Sequence, residues 1–66
     1  MKKSDEEIDR EARSLIAHYG RQAAAVAVAE LNRCIDRQDW DARDLWARIV
    51  RRIHELSRNR QMPYPT

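Results

Sequence analysis

The chain has 66 residues and almost none of the amino acids that interrupt a helix. It holds one glycine, Gly20, and two prolines, Pro63 and Pro65, both within the last four positions. Phenylalanine is absent while Ala, Arg, Leu, Ile, Glu and Asp dominate, a composition that disfavours sheet and favours helix. One cysteine, Cys34, excludes an intrachain disulfide, and with only His18 and His54 beside it the spacing of a structural zinc site is missing. No apolar run approaches the roughly 20 residues that cross a bilayer. Met1-Lys2-Lys3 leads into acids, where a secretion signal would have an apolar core. The expectation is an uncleaved, soluble, cytoplasmic protein with no membrane contact.

A chain this short supports one domain and buries only about 60% of the surface its unfolded form exposes. Association with a second copy would widen so thin a stability margin. The net charge of +2 conceals a polarity: residues 1–41 carry seven Lys or Arg against nine Asp or Glu, and residues 42–66 carry six against two.

Ser4-Asp5-Glu6-Glu7 has the form of a capping box, which starts a first helix at about Asp5. Ile8, Ala12, Leu15 and Tyr19, with Ile16 flanking, give that helix an apolar stripe. Beyond Gly20 the stripe changes phase: Ala24, Ala27, Leu31, Cys34 and Ile35 fall roughly 110° further round the wheel. One straight helix cannot bury both stripes in one groove, so a break is expected at Gly20, where glycine accepts the left-handed backbone of a helix end.

The second helix, about 21–37, opens with the small residues Ala23, Ala24, Ala25, Ala27 and Ala29, which allow close approach of another helix. Asp39 reads as the N-cap of a third helix, about 40–58, with the stripe Ala42, Leu45, Trp46, Ile49, Ile53 and Leu56. So short a connection predicts an antiparallel hairpin. The predicted fold is therefore all-α: three helices, the first angled across a hairpin of the other two, in a single domain over 1–58. Residues 59–66 form an extended or disordered tail, in which Met62-Pro63-Tyr64-Pro65 has the proline spacing of a docking segment.

No convergent set of nucleophile, base, paired carboxylates or phosphate loop is visible, so neither an enzyme nor a cofactor is expected. The crowded acids Asp5, Glu6, Glu7, Asp9 and Glu11 are explained by the helix dipole. Cys34 sits on the second stripe, where a free thiol packs as a small hydrophobe or serves redox chemistry or an intersubunit bridge. His18 and His54 suit helix C-termini.

Two surfaces remain as candidates. Val26, Ala25 and Ala29 lie away from Leu31 and Ile35, so one neighbour hardly covers the second helix, and a homodimeric bundle is expected. Trp46 belongs to the core or to that seam. Trp40, off the third stripe by about half a turn, either folds over the hairpin loop or anchors an unidentified protein partner. The alternative is a nucleic-acid-binding regulator contacting phosphates through Arg48, Arg51, Arg52 and Arg58. Asp44 and Glu55, four residues from Arg48 and Arg51, would offset those charges, and Asp41 and Asp44 near the helix start oppose a base-reading role.

Leu15-Ile16, Tyr19-Gly20, Ala23, the alanine-rich helix, the turn at Asp39, then Trp46-Ala47-Arg48-Ile49 and Ile53-His54-Glu55-Leu56 together resemble a group of short, uncharacterised helical proteins of alphaproteobacteria. The resemblance spans about residues 8–57 and implies the fold, without an activity. Members of that group often have glycine before the turn aspartate, where this chain has Gln38.

Overall fold

A computed structural model describes residues 4–60, with side chains for 4–58. The described residues form α1 (Asp5–Tyr19), a 3₁₀ turn (Gly20–Gln22), α2 (Ala23–Asp36) and α3 (Trp40–Arg60). The capping box is present: the Glu7 backbone N–H donates to Ser4 Oγ at 3.3 Å, and the Ser4 N–H donates to Glu7 Oε1 at 3.0 Å. The second helix begins two residues later than its sequence predicts, because Gly20–Gln22 tighten into the 3₁₀ turn. The third runs to Arg60, two residues past its expected end, so Asn59 and Arg60 continue a helix where a tail is predicted. The Met62-Pro63-Tyr64-Pro65 segment lies outside the described residues.

The break falls at Gly20, with an unexpected torsion. Its φ of 56° is positive, but ψ of −124° departs from the left-handed helix. The pair is the mirror image of extended backbone, which glycine adopts and L side chains do not. That single torsion turns the chain from α1 into α2.

α2 and α3 form the hairpin. Ala24, at the start of α2, shares a cleft with His54, Ser57 and Arg58 from the last turns of α3, which fixes the antiparallel sense. α1 packs along the second half of α3, with Asp5 and Asp9 beside Arg48 and Arg52 and Ile16 reaching the same end cleft. The core is built from Ile8 and Ala12 of α1, Ala23 and Ala27 of α2, and Ile49 and Ile53 of α3. Ala12, Ala23 and Ala27 are fully buried at 0% exposure, so α1 and α2 present methyl groups to the centre, where α3 supplies Ile49 and Ile53. Leu15, Ile16, Leu45, Trp46, Val50 and Leu56 pack around this centre.

Two apolar positions do not go where their stripes place them. Tyr19 ends the α1 stripe yet is 47% exposed, because Gly20 turns the chain away beside it. Ile35 is 42% exposed and Leu31 half-buried, so the inward side of α2 is Ala23, Ala27 and Cys34 rather than the full predicted stripe. Adjacent residues on a helix differ by about 100°, so with Ala23, Ala27 and Cys34 turned inward, Leu31 and Ile35 fall to the side of the helix.

The α2–α3 turn compresses a C-cap and an N-cap into three residues. The Asp39 N–H donates to the Cys34 carbonyl at 2.9 Å and the Gln38 N–H to the Ile35 carbonyl at 3.0 Å, the paired bonds of a Schellman motif. Gln38 occupies its left-handed position with φ of 59°. Asp39 Oδ1 then accepts from the Ala42 N–H at 3.3 Å, the expected N-cap bond of α3. The geometry thus suits glycine and holds glutamine, so Gln38→Gly is expected to stabilise the chain by about 1 kcal/mol. Urea unfolding should show a raised midpoint with an unchanged slope.

Candidate interaction surface

The charged surface divides where α1 meets α3. Arg52 Nε donates to Asp9 Oδ1 at 2.6 Å, Arg13 Nε donates to Asp9 Oδ2 at 2.8 Å, and Arg52 Nη1 reaches Glu55 Oε1 at 3.2 Å. Asp9 therefore ties the first helix to the third. The hydrogen bond from Arg13, followed by that from Arg52, holds the Asp9 carboxyl below its ordinary pKa.

A depressed native pKa means that this tie contributes fully above the unfolded value of about 3.9 and is lost as pH falls through the native one. Acid titration should therefore loosen α1 first, seen as amide shifts over residues 5–16 preceding those of the hairpin. Asp9→Asn should remove that acid-dependent step while lowering stability at neutral pH; an unchanged titration would refute the assignment.

Of the four arginines that the sequence offers to phosphates, two are engaged. Arg52 is held as above, and Arg51 Nε lies 3.8 Å from Glu55 Oε2, the pair that the four-residue spacing predicts. The Asp44–Arg48 pair does not form: Asp44 instead meets its neighbour Arg43 at 3.0 Å. Arg48 lies beside Arg51 and Arg52 on a surface shared with Asp5, Glu6, Asp9 and Glu55, whose acids offset it. Arg58 lies outside that surface but borders Arg51 and Glu55 on one side, and the cleft at the α1–α2 end of the molecule on the other. The four run on from one another through Arg51, but Asp9 and Glu55 are set among them, so they do not make an acid-free cationic face.

The apolar candidates separate as well. Trp40 is 56% exposed at the first residue of α3, so it does not fold over the loop. Trp46 is half-buried against the core. Val26 is half-buried and Ala29 exposed. The continuous apolar edge of α2 is instead Ala24, Val28, Leu31 and Ile35, at 4-3-4 spacing, with Val28 38% and Ile35 42% exposed. Ala24 meets Ser57 and His54 across the cleft. Following the antiparallel pair from there, this edge runs beside the α3 edge that carries Val50 and Trp46. The sequence stripe of Ala24, Ala27, Leu31, Cys34 and Ile35 holds three of these four residues; Val28 replaces the buried Ala27 and Cys34 on the exposed side.

Cys34 is buried and free, and its 1% exposure makes it a packing residue of the hairpin. Among the described residues no group of three His, Cys, Asp or Glu could hold a metal ion, and no helix is long and apolar enough to cross a membrane. No family model, curated protein or solved structure matches the chain.

Proposed function

We propose that this protein is a small, non-catalytic interaction module that self-associates through the open side of its α2–α3 hairpin. The observation that carries the reading is the line of exposed Val28 and Ile35 with half-buried Leu31 between them, on the side of the hairpin that also carries half-buried Trp46 and Val50. A 14-residue helix is about 21 Å long and two packed helices span about 20 Å. Two such faces together offer on the order of 1,000 Å² of accessible surface, the lower bound of a specific interface. A twofold pairing would give a four-helix layer with α1 outside it, and Trp40 at the hairpin end would extend the contact or receive a further protein.

A regulator that grips nucleic acid through Arg48, Arg51, Arg52 and Arg58 has less support, because Asp9 and Glu55 occupy two of the four.

Sedimentation equilibrium tests the module directly. The wild-type chain should sediment at twice its 7.8 kDa mass at micromolar concentration. Val28→Asp or Ile35→Asp, each placing a charge on the seam, should weaken the dimer by roughly 100-fold or more. Ala29→Asp, which points about 130° from that edge, should leave it intact. A monomeric wild type at high micromolar concentration ends the proposal, and dissociation by Ala29→Asp alone would move the seam back to the face that the sequence suggested.

A further inference from the structure

The cleft at the α1–α2 end of the molecule is distinct from that apolar face in its chemistry. It forms where the 3₁₀ turn, the first turn of α2 and the last turns of α3 converge. Ile16 and Ala24 supply its apolar part, both half-buried, and Arg21, His54, Ser57 and Arg58 supply its polar side chains. Every one of those four can donate a hydrogen bond, and among the described residues no carboxylate lines the space, the acid closest by being Glu55 in the adjoining cleft that shares His54 and Arg58. On the neighbouring surface, by contrast, three arginines face four acids.

The two arginines of the cleft are also unspent. Glu55, the acid nearest to Arg58 along α3, is held by Arg51 and Arg52. Neither Arg21 nor Arg58 makes an ion pair or side-chain hydrogen bond among the described residues.

We infer that this cleft binds a small phosphomonoester carried on an apolar stem. Two guanidinium groups, an imidazole and a hydroxyl present more donors than the two oxygens of a carboxylate can accept. A phosphomonoester has three terminal oxygens and a charge near −2, and arginine forks match it bidentately. Ile16 and Ala24 then contact the stem. The site does not depend on self-association, since all its residues come from one chain.

Phenyl phosphate, inorganic phosphate and benzoate are the probes, followed by amide shifts at Gly20, Ala24 and Ser57 at low ionic strength. Phenyl phosphate should bind saturably, with inorganic phosphate and benzoate each about tenfold weaker. Arg21→Gln and Arg58→Gln should each weaken phenyl phosphate about tenfold, and Arg48→Gln, an exposed arginine outside the cleft, should not. The inference is overturned by non-saturating shifts with phenyl phosphate at millimolar concentration. Equal affinity for benzoate would overturn the phosphate assignment, and an equal effect of Arg48→Gln would reduce the binding to diffuse charge attraction.

Discussion

Truncating Ile53 to alanine should cost about 2–5 kcal/mol, the range for deleting a buried isoleucine side chain and leaving a cavity. Ile53 is 1% exposed on α3 and belongs to the cluster where all three helices meet. A domain of this length holds only about 3–5 kcal/mol in total, so the variant should be largely unfolded at room temperature. Ile35→Ala is the matched control. It deletes the same atoms from a side chain that is 42% exposed, and in the monomer it should cost below about 1 kcal/mol. Circular dichroism under urea, run at concentrations where the dimer is dissociated, separates the two. Equal costs would mean that Ile35 is as buried as Ile53, and the open face would vanish with it.

That contrast marks how far the sequence could be read. Helix number, the capping box at Ser4, the N-cap at Asp39 and the α3 stripe follow from local rules: a cap needs one oxygen at one position, and a stripe needs one period. Each appears as expected. The side of α2 that turns inward was harder, because alanine is compatible with every face and the larger residues drew the stripe towards Leu31 and Ile35. Which face is buried depends on how closely α1 and α3 approach, a property of three helices together. The Gly20 torsion and the hold of Asp9 on Arg52, 43 residues apart, have the same origin. So has the division of the arginines, since spacing along α3 reveals Glu55 but not a partner from α1. The end cleft was invisible for the same reason: its four donors come from the 3₁₀ turn and the last turns of α3, and only folding brings them together.

If the alanines set the distance between helices, enlarging one of them should be as damaging as emptying the core. Ala27 is 0% exposed and packs with Ile8, Ile49 and Ile53 in the central cluster. Ala27→Leu adds three carbons where the contact is methyl to helix, and over-packing of this kind costs about 1–3 kcal/mol, occasionally more. The chain can relieve it by pushing α1 off the hairpin, since α1 is joined to the rest by the Ile8 and Ala12 contacts of that same cluster, one partly exposed ion pair and the turn at Gly20. The expected state is therefore one in which α2 and α3 remain paired while the amides of residues 5–19 lose protection from hydrogen exchange. Ala29→Leu, two positions on and exposed, adds the same carbons towards solvent and should leave both stability and protection unchanged. Loss of protection throughout the chain in Ala27→Leu would show that the hairpin cannot stand without α1, whereas an unaffected chain would show that α2 does not approach its neighbours through alanine.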